Sequence, residues 1–168
     1  MKNGIYYQYY VEGEDEKKLL DVLKCDLGCI RTGKVDIFNV IQSQLTNMRI
    51  RPLKPGTVVI LVYDTDVDNV GILRKNIAFL KAQNMIKEVL CIPQIRNLEE
   101  ELVYACLIKD ARELTHSQTK KDFKKDLIRC NNLEVRLKQC GFDITKFWSR
   151  VPKNGFGVLV NDAWKIKL

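Results

Sequence analysis

Short apolar runs alternate with amphipathic stretches along most of this chain. Residues 4–11 (GIYYQYYV) are aromatic and β-branched, a composition that favours strand. Residues 14–24 (EDEKKLLDVLK) read as a helix. Leu19, Leu20 and Leu23 form its apolar stripe, and acids fill its first turn, where the helix dipole favours them. A short strand is predicted at 34–38 (KVDIF), then a helix over 39–49 carrying Val40, Ile41, Leu45 and Met48. Pro52, Pro55 and Gly56 punctuate the chain before TVVILVY (57–63). A continuous apolar run of that length, bounded by turn residues, fits a strand buried on both faces of a parallel sheet. A helix over 69–83 follows, with Ile72, Ile77 and Leu80 inward; then a strand at 88–92 (EVLCI), ended by Pro93, and a helix over 98–108.

Strand and helix in alternation imply an α/β fold with a mostly parallel sheet flanked by helices. The last third departs from that pattern. Residues 118–140 suggest two helices broken at Asn131-Asn132, and a final strand is placed near 156–160 (FGVLV). The expected organisation is a core over 1–110 and a basic helical extension over 111–168 that packs on the core and completes its site. There is no repeat, low-complexity tract or Gly/Ser linker to suggest more.

Composition changes the picture little; charge changes it more. The chain has 168 residues, 46% hydrophobic and 29% charged, which suits one soluble domain with an extension. The N-terminal MKNGIYYQYYVEGEDE lacks the layout of a signal peptide, and no stretch approaches the roughly 18 apolar residues of a membrane span. A cytoplasmic protein with no membrane partner is the expectation. Six cysteines without a C-x-x-C pair, and one histidine, argue for reduced thiols and against a zinc site. His116 sits in a polar segment outside the motifs below and is read as a surface residue rather than a general base. Residues 1–108 balance 14 Lys/Arg against 14 Asp/Glu, whereas residues 109–168 carry 14 against 7, so the whole net charge of +7 lies in the last third. Such asymmetry suggests a polyanionic partner.

Ligands of an open parallel sheet bind beyond the carboxyl ends of the strands, and two of the predicted ends carry acids. Val11-Glu12-Gly13-Glu14-Asp15-Glu16 follows the first strand, and Asp64-Thr65-Asp66-Val67-Asp68 follows TVVILVY. In extended chain, side chains two apart point the same way, so Asp64 and Asp66 aim at one point. Gly13 permits a tight turn and close approach, and Glu16, one helical turn beyond Glu12, reaches the same region. Clustered carboxylates repel unless a proton or cation lies between them, and hard oxygen ligands favour Mg²⁺ or Mn²⁺.

Y-Y-V-E-G-E-D-E-K followed by V-V-I-L-V-Y-D-T-D resembles the Toprim domain, whose pattern is a strand ending in Glu-Gly and, about 50 residues later, a strand ending in Asp-x-Asp. The resemblance covers roughly residues 4–110 and implies a Rossmannoid, Toprim-like sheet. Within that superfamily the overcoming-lysogenization-defect nucleases are the most similar branch, through their E-G-x-x-E at the first site. Their further Glu in an N-L-E-type segment implies a ligand role for Glu99, with Glu100 as the fallback in Asn97-Leu98-Glu99-Glu100-Glu101. Their late lysine near the transferred phosphate corresponds to Lys153, in V-P-K-N-G-F-G. A topoisomerase or a primase would need further modules, and without a Walker motif any ATPase partner would be another polypeptide.

The function so implied is Mg²⁺-dependent hydrolysis of nucleic-acid phosphodiesters, as an antiviral or toxin effector. Glu12, Asp64 and Asp66 would hold metal, assisted by Glu16, Asp68 and Glu99 or Glu100, with Lys153 adding electrostatic stabilisation. Lys120, Lys121, Lys124 and Lys125 would share one broad helical face, with Phe123 and Leu127 turned to the core; Arg129, Arg136 and Arg150 would extend the basic surface. Nucleic acid, DNA or RNA, is the expected partner, with a separate ATPase or regulator and a homodimer also open. Two other classes compete: a non-catalytic nucleic-acid-binding or partner-binding module that keeps the fold, and a phosphotransferase or nucleotidyl enzyme using the same acids.

Overall fold

The computed structural model describes residues 4–168. Four strands, β1 (Tyr6–Val11), β2 (Lys34–Ile37), β3 (Thr57–Asp64) and β4 (Ile86–Gln94), form one sheet in the order β2-β1-β3-β4, with every neighbouring pair parallel. The expected parallel α/β architecture is present, with helices on both faces.

β3 explains the layering. All eight of its residues are buried, and the two-residue period of a strand divides them between two cores. Val58, Ile60 and Val62 face a core built with α1 (Glu14–Asp21), α4 (Leu98–Ala105), α6 (Phe123–Arg129) and α7 (Leu133–Gln139). Val59, Leu61 and Tyr63 face a second core with α3 (Gly71–Lys81), the 38–53 segment and Phe156. A one-turn helix, α2 (Asn47–Ile50), lies within that segment, and another, α5 (Arg112–Thr115), precedes α6. Residues from the last third, including Phe123, Leu127, Leu133, Phe147, Trp148 and Ile166, share the first core with β1 and β3.

Five local expectations are corrected. The helix predicted over 39–49 is a turn followed by α2. Asn39 accepts from the N–H groups of Ile41 and Gln42, while buried Asn76 accepts from Leu45 N–H and donates to the carbonyls of Val40 and Ser43. Side-chain amides thus take the backbone groups that a helical ladder would use, and Met48 is left 86% exposed. The inward stripe of α3 is accordingly Leu73, Asn76 and Leu80, with Ile72 and Ile77 only half-buried.

β4 does not stop before Pro93 but runs on to Gln94. It is an edge strand, and Cys91, two residues earlier, turns its N–H and C=O outward to Asp162. Pro93 points its missing donor the same way, so no ladder bond is lost. The strand expected at 156–160 is instead a 3₁₀ turn, Gly155–Val158, from which Phe156 plugs the second core beside Tyr63 at a ring separation of 5.7 Å. The break at Asn131-Asn132 falls between α6 and α7 as expected. Helix α6, however, begins only at Phe123, so Lys120 and Lys121 lie in the preceding turn and only Lys124 and Lys125 of the four lysines are helical.

All six cysteines are free, and His116 is exposed in the left-handed turn that ends α5. Among the described residues no helix is long and apolar enough to cross a membrane.

Candidate metal centre

The strand order puts the tips of β1 and β3 side by side at the carboxyl end of the sheet. Glu12 follows β1 directly, and Asp64 is the last residue of β3. The N–H of Asp64 donates to Glu12 Oε1 over 3.3 Å. Glu16, in the first turn of α1, completes a group in which one carboxylate oxygen from each of Glu12, Glu16 and Asp64 lies within 4.8 Å of the others. The two acidic motifs therefore converge.

Gly13 contributes differently from the expectation. Its φ of −150° and ψ of 179° are extended backbone open to any residue, so no glycine-only turn is needed. What matters is space: a Cβ there would stand 2.8 Å from Asp15 Oδ1 and 3.2 Å from Glu16 Oε2. Glycine lets the carboxylates of the first helical turn fold back over the strand end.

Burial raises the stakes for these charges. Glu16 is 2% exposed and Asp64 8%. Desolvation, followed by the neighbouring Asp15, pushes the Glu16 carboxyl up to about 9. Desolvation and the Glu12 charge push Asp64 up to about 8. Glu12 is raised as well, by burial first and by Asp66 in addition, against the bond from Asp64 N–H. Without a cation, desolvation and mutual repulsion both favour the protonated forms of these carboxyls. Glu16 Oε2 and Asp15 Oδ2 are buried without a hydrogen-bond partner. Hard oxygen donors with orphaned lone pairs fit a divalent cation such as Mg²⁺ or Mn²⁺, so the residues present suit that group.

Asp64 is braced from β4. Gln94, fully buried, donates from Nε2 to Asp64 Oδ1 over 2.7 Å and accepts at Oε1 from the Trp148 indole over 3.2 Å. Sequence reasoning passed over Gln94. Its signal was a polar residue closing an apolar strand, in register with Asp64. Lys124, expected on the broad basic face, has its ammonium 3.5 Å from Asp15 Oδ2. Although its partial burial works against its charge, Asp15, Glu99, Glu16 and Asp64 together hold its pKa above the usual lysine value.

The chain matches no family model, no curated protein and no solved structure.

Of the remaining predicted site residues, Asp66 stays beside the three acids and the others lie elsewhere. Asp66 is exposed and lines a cleft of about 460 Å³ together with Glu12, Asp64 and Asn39. Asp68 is exposed on the loop into α3. Glu99 is half-buried and Glu100 exposed, and both line a separate trough with Lys120. The fully buried acid of that segment is Glu101, which the sequence did not single out. It accepts from Ile95 N–H at 2.7 Å and Trp148 N–H at 3.2 Å and pairs with Arg150 at 3.3 Å. Arg150 is thereby committed within the fold: it also donates to the Glu100 carbonyl and lies 4.2 Å over the Tyr104 ring. Arg136 donates to Asn132 and to the Leu114 carbonyl. Lys120, Lys121, Lys125 and Arg129 are exposed, and Lys153 is exposed in the loop before the Gly155 turn.

Proposed function

We propose that this chain is a divalent-metal-dependent nuclease that hydrolyses nucleic-acid phosphodiesters at the Glu12–Glu16–Asp64 centre. The observation that carries the reading is the convergence of buried Glu16 and Asp64 with half-buried Glu12, one carboxylate oxygen of each within 4.8 Å of the others, at the carboxyl end of a parallel sheet, where such folds place their ligands. The similarity of the two acidic motifs to Toprim nucleases supplies the reaction class.

Glu12, Glu16 and Asp64 would hold Mg²⁺ or Mn²⁺, with Asp66 bordering the same cleft. A bound ion of this kind acidifies a coordinated water and offsets charge on the phosphate. Gln94 fixes the Asp64 carboxylate, so the ligand geometry is set before substrate arrives. Lys124 places a cation at the edge of the carboxylates, where an incoming phosphate would otherwise meet only negative charge. Lys121, Lys125 and Arg129 give the polyanion further exposed contacts, which position a strand without reading its sequence.

Incubation of the chain with plasmid, single-stranded DNA and total RNA, in Mg²⁺, Mn²⁺ or EDTA, tests the reading. Metal-dependent scission of at least one substrate is expected, with Asp64→Asn lowering the rate by about 100-fold or more while far-UV circular dichroism stays unchanged. Binding without scission under every metal would make the chain a non-catalytic module instead.

A further inference from the structure

Thr65, the residue after Asp64, is the hub of a second feature at the rim of the sheet. Its N–H donates to the Arg96 carbonyl at 3.1 Å, and its hydroxyl accepts from Arg96 N–H at 3.0 Å. Its carbonyl accepts from Asn154 Nδ2 at 2.9 Å. One residue therefore fastens both the Arg96 turn and the 152–155 loop beside the carboxylate centre. These two segments bound a trough of about 600 Å³, whose walls include Arg96, Lys153, Ile95, Val151 and Pro152. Among the described residues no carboxylate lines it. The volume falls within the roughly 300–1,000 Å³ of ordinary ligand pockets.

Arg96 is held in a conformation that costs energy. Its φ is +64°, a left-handed backbone that Cβ-bearing residues seldom adopt. The nearby turn needs that φ, and glycine would meet the need without strain. An arginine stands there with its side chain exposed, and among the described residues no carboxylate pairs with it in a salt bridge. Strain carried at an unpaired cation beside a functional centre points to a ligand for that cation. Arg96 also lines the trough that contains Glu99, Glu100 and Lys120, so it stands between that depression of mixed charge and the one without a carboxylate.

We propose that Arg96 is a phosphate-positioning residue, and that the trough between it and Lys153 receives the nucleotide of a single nucleic-acid strand adjacent to the metal centre. The guanidinium suits a backbone phosphate through its paired N–H donors. Ile95, Val151 and Pro152 offer the apolar surface against which a sugar or base rests, and Val151 is 61% exposed. The proposal rests on the nuclease reading for its location and adds to it a residue and a subsite.

Fluorescence anisotropy of a labelled oligothymidine, titrated with the whole chain in EDTA across a range of salt, separates the possibilities. Arg96→Gly is the informative variant, because glycine accepts the positive φ and its melting temperature should equal or exceed that of the wild type. The expected result is weaker binding, with the slope of log affinity against log salt reduced by about 0.7. Lys153→Ala should reduce the slope again in the double variant, and inorganic phosphate or thymidine monophosphate should compete only weakly. Unchanged affinity and slope in Arg96→Gly would overturn the proposal, even if the wild type cuts DNA in Mg²⁺. Equal competition by inorganic phosphate would overturn the strand subsite and leave a simple anion site. A reduced slope in a protein that never cleaves under any metal would support the subsite while refuting the nuclease reading.

Discussion

The Asp64 backbone N–H is hydrogen-bonded to the Glu12 carboxylate at 3.3 Å, a contact between residues 52 positions apart in the chain. The bond orients Glu12 independently of any metal and pins the tip of β1 to the tip of β3. Glu12→Gln retains an acceptor oxygen for this bond and removes only the charge. It should keep the fold and lower Mg²⁺ or Mn²⁺ affinity by about 10-fold or more, as measured by isothermal calorimetry. Equal affinities would remove Glu12 from the ligand set.

In the absence of divalent cation, stability should fall as pH rises. The carboxyls of Glu16 and Asp64 are raised by burial from ordinary values of 4.5 and 3.8 to about 9 and about 8. The folded state therefore holds their protons more tightly than the unfolded chain does. Their stabilising contribution is complete below about pH 4 and is lost progressively up to about pH 9. Thermal melts in EDTA should show this decline, Glu16→Gln should flatten it, and added Mg²⁺ should restore stability at the alkaline end. A melting temperature that climbs from pH 5 to pH 8 in EDTA would contradict the assignment.

Lys124, with its ammonium 3.5 Å from Asp15 and within the field of Glu16 and Asp64, already offsets part of the charge that a bound cation would offset. Lys124→Met should tighten metal binding by up to about fivefold, the scale of a half-exposed ion pair. The same change should weaken oligonucleotide binding. Opposite signs in the two titrations are the signature; a parallel loss of both would indicate damage to α6 instead.

Glu101 should matter for stability and not for metal. Its carboxylate is fully buried and satisfies the N–H groups of Ile95 and Trp148. Glu101→Ala leaves both donors without that partner and should cost about 2–4 kcal/mol, read from urea denaturation. Residual Mg²⁺ binding at temperatures where the variant stays folded should be unchanged.

Asn76→Ala tests the correction to the 39–49 segment. Three hydrogen bonds from one buried amide hold that segment over α3. Their loss should cost about 2–3 kcal/mol and expose the amides of residues 40–46 to faster hydrogen exchange, while α3 itself stays protected.

Local chemistry was enough to read the frame. TVVILVY fitted a buried strand, the leucines after Glu14 the inner face of a helix, and the acids at both strand ends either a helix cap or a ligand site, because period and polarity act over a few residues. Where partners lay far away in sequence, reading failed. Met48 looked like core until Asn76, 28 positions on, claimed the backbone around it. Pro93 looked like a strand end because nothing local shows that β4 is an edge. Among three consecutive glutamates, burial chose Glu101 because Ile95 and Trp148 offered unpaired N–H groups from two different segments.

The sequence by itself determined the strand and helix alternation, the two acidic motifs and the basic last third. Only the tertiary structure decided that Glu12, Glu16 and Asp64 meet, that Gln94 braces them, that Lys124 stands beside them and that Thr65 fastens Arg96 to the rim. The physical reason is that secondary structure follows from local sterics and polarity, whereas a polyvalent site depends on strand order and on which buried polar groups find partners across the sheet.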